Sequence, residues 1–239
     1  MKKIIISDIH GNLEALNTAL EYIDKLDVEK QIVCLGDIVG YGPNPVECME
    51  KTLSITDKIC LGNHDYTAIN EDLDHKMVWH ASEAIKWTRK ILDDGMKKRI
   101  KDFKVQIEED NILYAHASPD SPMKWQYITN AKNASSSIAE MKCSLCFVGH
   151  SHIPGIYANY ELHNEGEKTP LSKNGKTIVN IGSVGQPRDG SPMLSFAVFD
   201  DVGWNVEIIR QEYDYQKTMS KIEKAGLPSF LAERLMSGI

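Results

Sequence analysis

Short, uninterrupted runs of apolar residues recur along the first two thirds of the chain. They occupy residues 4–6, 32–35, 59–61, 112–115 and 145–148. Continuous apolar runs of this length are typical of strands that are buried on both faces. A polar residue or a glycine follows each run directly. The pattern therefore predicts an α/β fold whose strands end at polar loops.

Between these runs the apolar residues repeat with helical spacing. Residues 12–25 carry Leu13, Leu16 and Ile23 on one face, and Asn12 is suited to cap the first turn. This helix would connect the first two strands as a parallel crossover. Further helices are predicted at residues 45–53, 77–102 with a break near Gly95, 134–141, 215–225 and 229–236.

The second half of the chain changes character. Residues 156–162, 177–180, 194–199 and 206–209 alternate between apolar and polar positions or run apolar over strand lengths. These segments are predicted to build a second sheet. At 239 residues the chain is long enough for one large core, so we expect one domain over residues 1–239.

The polar residues near the ends of the apolar runs are of metal-binding types. The candidate ligands are Asp8, His10, Asp37, Asn63, His116, His150 and His152. Residues two apart on an extended segment point to the same side, so Asp8 and His10 are predicted to reach one ion together. The same holds for His150 and His152. The nitrogen and oxygen set lacks thiolates, which excludes a zinc finger and predicts a hydrolytic site for two divalent ions beyond the strand ends.

Five motifs in order, D-x-H, G-D, G-N-H-D, a lone His and G-H-x-H, resemble the pattern of the calcineurin-like metallophosphoesterase superfamily. The resemblance extends from residue 1 to about residue 200. Residues 36–43, Gly-Asp-Ile-Val-Gly-Tyr-Gly-Pro, are similar to a bacterial and archaeal subgroup related to dinucleoside polyphosphate hydrolases. The resemblance implies an α/β fold in four layers, an αββα sandwich in which helices flank two mixed β-sheets and the metals lie at one edge.

The resemblance also implies which residues hold which ion. One ion would be bound by Asp8, His10, Asp37 and His152, and the other by Asp37, Asn63, His116 and His150. Asp37 would bridge the pair, whose members lie about 3.5–4 Å apart in such centres, and a bridging hydroxide would attack the phosphorus atom. Mn, Fe, Zn and Ni all accept this ligand set, so the sequence leaves the metal open.

The two residues that follow Asn63, His64 and Asp65, are candidate catalytic groups. By the family pattern His64 is not a ligand, and it protonates the leaving oxygen or stabilises the charge of the transition state. Asp65 either orients His64 or secures the following turn, and the first role is favoured here. Protein Ser/Thr phosphatases of the superfamily carry Asp-Arg-Gly after the second motif and use a carboxylate to back this histidine. Residues 40–42, Gly-Tyr-Gly, stand there instead.

Four residues are candidate substrate contacts. Arg188 could form a planar bidentate contact with phosphate, or it could pair with Asp189 or another carboxylate to fix a turn. Residues 117–127 form a loop that could act as a lid. The aromatic candidates for stacking on a nucleobase are Tyr41, Trp125 and Tyr127. The alternative is that these rings pack back on the body of the protein.

The predicted activity is hydrolysis of a phosphodiester, polyphosphate or phosphomonoester bond, with small nucleotides as the leading substrate class through the subgroup resemblance. The missing Asp-Arg-Gly disfavours a phosphoprotein substrate, and a nuclease or protein phosphatase of the same superfamily is the enzymatic alternative. A non-catalytic scaffold is the third alternative. The retromer subunit of this superfamily is such a scaffold and has lost metal ligands, whereas every ligand position is filled here.

Composition limits the classes of binding partner and the cellular compartment that we expect. A net charge of -7 and a pI near 5.6 argue against a protein that binds nucleic acid through a basic face. The apolar run after Met1 is too short for a signal peptide, and no run is long enough for a membrane span. Five cysteines without a secreted framework favour a reducing, cytoplasmic compartment. His75, His80 and His163 lack ligand spacing and are assigned no role, and the oligomeric state is left open.

Overall fold

Two mixed β-sheets, each of five strands, pack together in the structure, a computed structural model that describes residues 1–162 and 168–239. The strands are β1 (Lys2–Ile6), β2 (Lys30–Cys34), β3 (Gln106–Glu109), β4 (Ile112–Ala115), β5 (Leu145–Val148), β6 (Gly155–Ala158), β7 (Thr169–Pro170), β8 (Thr177–Asn180), β9 (Leu194–Asp200) and β10 (Asn205–Gln211). The helices are α1 (Leu13–Asp24), α2 (Pro45–Ile55), α3 (Asn63–Ala68), α4 (Trp79–Ile91), α5 (Asp94–Lys101), α6 (Ala131–Glu140), α7 (Tyr215–Lys224) and α8 (Phe230–Ser237). Short 3-10 turns cover Glu71–Lys76 and Pro122–Lys124.

The apolar runs form the middle of this arrangement. Ile5 and Val33 from one sheet share a buried cluster with Tyr114 and Phe147 from the other, so the two sheets pack face to face. The opposite face of the first sheet packs on α1 and α2, and that of the second sheet packs on α6. The four-layer αββα sandwich is therefore confirmed.

The order of strands corrects one prediction. The first sheet runs β2-β1-β9-β10-β7 and the second β3-β4-β5-β8-β6. The predicted parallel pairing of β1 and β2 around α1 is confirmed. The segments of the second half do not build a sheet of their own, because β6 and β8 join β4 and β5, whereas β9 pairs with β1. Without β9, one edge of the buried strand β1 would leave backbone groups unpaired in the core.

The predicted strand at residues 59–61 is absent as a regular element. Ile59 and Cys60 make only isolated bridges, to Cys34 and Lys104 respectively. The segment is still buried as its apolar character predicts. It turns into α3 two residues after its end, so the ladder with β2 cannot extend.

Two further local features differ from the sequence prediction. The break in the helical stretch 77–102 precedes Gly95, because Asp93 accepts a hydrogen bond from Met96 N at 2.7 Å and caps a new helix. Strand β3 was not predicted, although the Asp110-Asn111 turn after it has positive φ at both residues, as a tight hairpin requires. The other predicted helices are present with ends shifted by at most three residues. Within the part of the chain that the structure describes, no helix has the length and hydropathy of a bilayer span.

All five cysteines are free and buried. Burial raises the pKa of the Cys60 thiol to about 12, so this side chain stays protonated. The cysteines therefore act as small apolar residues of the core, as the position of Cys34, Cys60 and Cys146 in the apolar runs predicts.

Asn12 fixes the loop between β1 and α1. Its side-chain oxygen accepts a hydrogen bond from Ala15 N at 3.1 Å and caps α1, as predicted. Its amide nitrogen donates to Gly185 O at 2.8 Å and to the Tyr213 hydroxyl at 3.1 Å. Asn12 is 1% exposed, so water cannot replace these bonds. One side chain thus ties the start of α1 to two remote segments.

The replacement Asn12→Ala is expected to lower the free energy of unfolding by roughly 2–4 kcal/mol, because loss of an N-cap costs about 1 kcal/mol and buried partners left unsatisfied cost about 1–3 kcal/mol. Urea denaturation followed by circular dichroism measures the change. The matched control is Asn130→Ala, since Asn130 caps α6 at an exposed site. Equal losses for the two variants would show that the remote contacts of Asn12 do not stabilise the fold.

Candidate metal centre

The carboxyl ends of four strands meet at one edge of the two sheets, and all the candidate ligands lie there. Asp8 and His10 follow β1, Asp37 follows β2, His116 follows β4, His150 and His152 follow β5, and Asn63 begins α3. All of them except Asn63 are buried. The structure therefore brings together the side chains that the sequence singled out.

The local backbone differs from the extended geometry expected from residue spacing. Five of the seven candidate ligands have a left-handed backbone, namely Asp8 (φ 53°), His10 (φ 49°), Asp37 (φ 53°), His150 (φ 64°) and His152 (φ 60°). Each such residue costs about 1–3 kcal/mol and occurs mainly at functional sites. Asp8 and His10 converge because each lies in a left-handed bend beyond the end of β1. The pleat of an extended strand, which the sequence analysis assumed, is not the cause.

One cluster contains Asp8, His10 and His152. Asp8 Oδ1 lies 3.1 Å from His152 Nε2 and 3.7 Å from His10 Nε2, and the two ring nitrogens are 3.1 Å apart. The other oxygen of Asp8 accepts a hydrogen bond from His150 N at 2.9 Å. Asp8 Oδ1 is buried and has no hydrogen-bond partner among the described residues. It is therefore fixed with its lone pairs directed at the two histidines.

A second cluster forms around His116. Its Nε2 lies 3.1 Å from Asn63 Oδ1, 3.2 Å from His150 Nδ1 and 3.3 Å from Asp37 Oδ2. Oxygen and nitrogen donors thus surround one point from α3 and from the loops after three strands. The mixture of amide, imidazole and carboxylate suits a borderline or hard divalent ion.

Asp37 lies between the two clusters. Its Oδ2 faces His116 Nε2 at 3.3 Å and His10 Nε2 at 3.7 Å, and its Oδ1 accepts a hydrogen bond from His64 N at 2.8 Å. Burial raises the pKa of Asp37, but the neighbouring His116 and His64 outweigh burial and hold the pKa below the usual range. The carboxylate is therefore ionised and oriented toward both clusters.

Backbone carbonyls fix the protonation of the four candidate histidines. The pairs are His10 Nδ1 with Val39 O, His116 Nδ1 with Leu35 O, His152 Nδ1 with Gln186 O and His150 Nε2 with Trp125 O. A carbonyl only accepts, so the ring nitrogen beside it carries the proton and the other nitrogen presents a lone pair to the centre. Lone pairs that face one another at hydrogen-bond distance repel unless a cation or a proton lies between them. The donor set consequently fits divalent ions.

The electrostatics of the histidines support the same fit. Burial lowers the pKa of His150 to about 4 and that of His152 to about 3, so both rings are neutral and able to coordinate. Burial also acts on His116, but Asp37 and Asp8 outweigh it and raise its pKa to about 9. Without a metal ion this ring therefore holds a second proton on Nε2 at neutral pH, at the position where a metal ion would compensate the same negative charge.

Two glycines of the motifs permit the close approach of the carboxylates. A Cβ on Gly62 would lie 2.0 Å from Asp37 Oδ1, and one on Gly149 would lie 2.3 Å from Asp8 Oδ2. Both distances are far below van der Waals contact. Only glycine therefore fits beside each carboxylate.

His64 lies beside the two clusters without a carboxylate behind it. Its ring centroid is 4.4 Å from that of Tyr41 and 4.8 Å from that of His10. Burial lowers the pKa of His64 well below the usual value, against the attraction of Asp37. Its Nδ1 has no hydrogen-bond partner among the described residues. Aromatic packing, rather than an acid, holds this ring in place.

The favoured role of Asp65, to orient His64, is wrong. The Asp65 carboxylate accepts hydrogen bonds from the backbone amides of Asp37 at 2.7 Å, Ile38 at 3.0 Å and Val39 at 3.2 Å. Asp65 lies in the first turn of α3, from which it reaches the loop after β2. It therefore fixes the loop that carries Asp37, which is closer to the second role considered for it.

The surroundings of Arg188 correct two predictions. Asp189 pairs with Arg210 at 2.7 Å, so the expected alternative of an Arg188–Asp189 pair is wrong. Arg188 instead donates to Gln186 Oε1 at 2.9 Å and to the Tyr41 hydroxyl at 3.3 Å. Tyr41 is only 7% exposed, so its ring is not placed to stack on a nucleobase.

The loop 117–127 carries its aromatic residues to the rim of the centre. Trp125 lies 6.2 Å from Tyr66 and 6.0 Å from His116 between ring centroids. Tyr127 stacks on His150 at 4.3 Å with an interplanar angle of 8°, and it remains 52% exposed. These rings thus pack on the body of the protein, while they also form one wall of a cleft.

That cleft has a volume of about 660 Å³ and begins at Asn63 and His150. Lys76 and Lys124 line it together with Tyr66. Sequence reasoning missed Lys76 and Tyr66, because neither belongs to a metal motif. Lys76 lies in the turn after α3 and Tyr66 within α3, and their role becomes visible only once α3 is known to begin at the centre.

Two other residues near the centre carried no sequence signal. The His80 ring lies 6.4 Å from the Tyr41 ring, although it was assigned no role. Arg234 on α8 lies 5.7 Å from the same ring. His75 is exposed, as its lack of ligand spacing suggested, and His163 lies outside the described residues.

A family model and three known proteins resemble the chain. The model described as the calcineurin-like phosphoesterase superfamily domain matches residues 1–202. An uncharacterized protein of Methanocaldococcus jannaschii is 41% identical over 247 residues, 98% of this chain and 97% of that protein. The crystal structure of a metallophosphoesterase from Sphaerobacter thermophilus is 34% identical with a TM-score of 0.87 and covers 100% of both chains. A symmetrical bis(5'-nucleosyl)-tetraphosphatase of Pasteurella multocida is 29% identical over 136 residues, 50% of this chain and 46% of that protein.

The replacement Gly62→Ala is expected to push the Asp37 carboxylate out of position, since the new Cβ would lie 2.0 Å from Oδ1. Forced overpacking of this kind costs about 1–3 kcal/mol of stability. We expect a lower urea midpoint and a lower manganese content after dialysis, measured by inductively coupled plasma mass spectrometry. The control is Gly95→Ala on α5, which is exposed. A Gly62→Ala protein with wild-type stability and manganese content would contradict the tight packing.

Proposed function

The chain belongs to the calcineurin-like phosphoesterase superfamily and is a phosphoesterase, and we propose that it uses two divalent ions to hydrolyse small nucleotides. The observation that carries the proposal is the position of Asp37, whose Oδ2 lies 3.3 Å from His116 Nε2 and 3.7 Å from His10 Nε2. A single carboxylate oxygen that faces two histidine clusters is what a shared bridging ligand requires.

Under this proposal each cluster holds one ion. The first set is Asp8, His10, His152 and Asp37, and the second is Asn63, His116, His150 and Asp37. Bound divalent ions would supply an activated water at neutral pH and compensate the charge of the phosphoryl oxygens. The chain contributes imidazoles whose orientation is fixed by hydrogen bonds to backbone carbonyls, so the donors need little rearrangement to bind. Manganese, iron, zinc and nickel are all compatible with this set.

His64 is proposed to act on the leaving oxygen. Its ring nitrogen, a ring nitrogen of His10 and a carboxylate oxygen of Asp37 all lie within 4.8 Å of one another. Its backbone is tied to Asp37 by the 2.8 Å hydrogen bond, so the ring and the proposed bridging carboxylate move together. A neutral imidazole has one N–H to offer, and donation of this hydrogen to the departing oxygen stabilises the charge that develops there.

The cleft supports a nucleotide as the substrate. Its volume of about 660 Å³ lies in the range of sites for small molecules, roughly 300–1,000 Å³. Trp125 and Tyr66 offer aromatic surface to a base, and Lys76 and Lys124 offer positive charge to phosphates. The relative from Pasteurella multocida is named for hydrolysis of a dinucleoside tetraphosphate, and the match to it spans about half of each chain.

Replacement of the bridge and of the proposed acid should give different signatures. Asp37→Asn is expected to lower the manganese content and to lower turnover by more than about 100-fold, because it removes a charge that both clusters share. His64→Asn is expected to lower turnover by about 10²–10⁴-fold while the manganese content stays at the wild-type value. Hydrolysis of bis(p-nitrophenyl) phosphate and elemental analysis measure the two properties.

The control for both variants is His75→Asn, an exposed histidine outside the clusters. Loss of manganese from His64→Asn would make His64 a ligand and remove its role on the leaving oxygen. Wild-type turnover in Asp37→Asn would exclude the bridging role. A screen of dinucleoside polyphosphates, cyclic nucleotides, single-stranded DNA and phosphopeptides with manganese tests the substrate class, and preferred hydrolysis of DNA or phosphopeptides would overturn it.

Trp125→Ala is expected to raise the KM for nucleotides by about 5- to 160-fold, since stacking of one base on an aromatic ring contributes about 1–3 kcal/mol. The KM for inorganic tripolyphosphate, which has no base, should change far less. Steady-state kinetics with both substrates measure the difference, and Trp79→Ala, which removes a tryptophan that is 69% exposed, is the control. Equal changes for the two substrates would place the base elsewhere.

A further inference from the structure

Two arginines from distant parts of the chain converge on Tyr41. Arg188 lies in the loop after β8 and Arg234 on α8, and the Cζ of each is 5.7 Å from the centroid of the Tyr41 ring. Tyr41 in turn packs on His64 at 4.4 Å and on His10 at 4.7 Å. The arginine pair is therefore separated from the proposed catalytic histidine by one aromatic ring. It lies at the end of the centre that is formed by His10.

Neither arginine is paired with a side-chain carboxylate in the part of the chain that the structure describes. Arg188 bonds neutral oxygens of Gln186 and Tyr41, and its Nε is buried without a hydrogen-bond partner. Arg234 is 7% exposed, and its Nε donates to an oxygen of Ile239, the last residue of the sequence, so that a terminal carboxyl group is the one acidic partner beside the pair among the described residues. The acid next in sequence, Asp189, is engaged by Arg210.

Two partly buried arginines on one aromatic ring carry more positive charge than the single carboxyl group of Ile239 can compensate, so a further anion would stabilise them. A charge removed from water costs several kcal/mol when no counter-charge compensates it. Burial and Arg188 lower the pKa of Arg234 to about 10. Burial, Arg234 and Arg188 together lower the pKa of His80. The region around Tyr41 therefore has a positive potential that its own side chains do not neutralise.

We propose that Arg188 and Arg234 bind a phosphate on the leaving portion of the substrate, so that the bond cleaved is a phosphoanhydride within a chain of phosphates. This inference rests on the proposed function. Water adds its oxygen to the phosphorus held at the two clusters, and the bond from that phosphorus to the bridging oxygen breaks. The departing phosphate keeps the bridging oxygen with its electron pair, and the water's protons pass to the leaving oxygen and to solvent. A departing phosphate carries several negative charges, and two guanidinium groups that lie within 5.7 Å of the Tyr41 ring, which packs on His64, would stabilise them.

The test compares two substrates that transfer the same thymidylyl group. Thymidine 5'-triphosphate releases a phosphate chain, whereas the p-nitrophenyl ester of thymidine 5'-monophosphate releases p-nitrophenolate. Arg234→Gln is expected to lower the ratio of kcat/KM for the triphosphate to kcat/KM for the ester by at least about 10-fold, the effect of one charge-assisted hydrogen bond. Arg234→Lys, which keeps the charge, should recover part of this ratio.

A second readout does not depend on activity. Isothermal titration calorimetry with inorganic tripolyphosphate, on the full-length protein in the presence of a chelator, should show binding that weakens by at least about 10-fold in Arg234→Gln and in Arg188→Gln. The matched control is Arg210→Gln, whose arginine is already paired with Asp189. This variant should keep both the ratio and the affinity. Thermal denaturation shows whether each variant is folded. If Arg234→Gln does not fold, the same two measurements on the single variants Arg188→Gln and Arg234→Lys provide the test.

Three outcomes separate the claims. An unchanged ratio in a folded Arg234→Gln protein overturns the proposal, even when tripolyphosphate binding is weakened, because the pair would then bind a free anion and not the substrate. Unchanged binding together with an unchanged ratio excludes any anion site. A wild-type protein that hydrolyses neither substrate with manganese refutes the proposed nucleotide substrate, whereas tripolyphosphate binding by the arginines would still be measurable.

Discussion

Two buried carboxylates and four imidazoles meet in two adjoining clusters at one edge of the sheets, and the repulsion among their lone pairs constrains the rest of the molecule. Asp8 Oδ1 has no hydrogen-bond partner among the described residues, and it faces ring nitrogens rather than protons. Such a cluster is stable only when positive charge joins it. The strained loops after β1, β2 and β5 and the glycines beside the carboxylates all serve to hold the donors there.

The sandwich supplies the rigidity that these loops need. β1 lies in the interior of its sheet between β2 and β9, and its residues Ile4, Ile5 and Ile6 are completely buried. Hydrogen bonds to a neighbouring strand on each side fix the ends of such strands, so the first residues of the following loop have a fixed position. Hydrogen bonds to the loops fix them further, since Asp65 on α3 accepts hydrogen bonds from the backbone of the loop that carries Asp37. Sites on rigid elements keep their geometry better than sites on free loops.

The centre could be located from the sequence alone because polar, metal-binding side chains repeatedly follow the apolar runs that form buried strands. The same reasoning failed on how the donors converge, since φ angles of 49° to 64° cannot be read from the types of Asp8, His10 and their counterparts. It also misplaced β9, because an apolar run reveals burial but not the sheet that receives it. The role of Asp65 depends on a loop conformation, and a helical arginine such as Arg234 has no motif at all.

The pairing of β1 with β9 has a consequence for how the protein is made. Every candidate ligand has been synthesised once residue 152 has left the ribosome, yet Lys3 pairs with Phe199, and Asp8 O accepts a hydrogen bond from Gly185 N. The emerging chain thus contains all the candidate ligands before the segments that position them are available, and contacts between residues so far apart in sequence form slowly. A divalent ion held by these donors would therefore stabilise the chain only after residues 185 and 199 have reached their places beside β1.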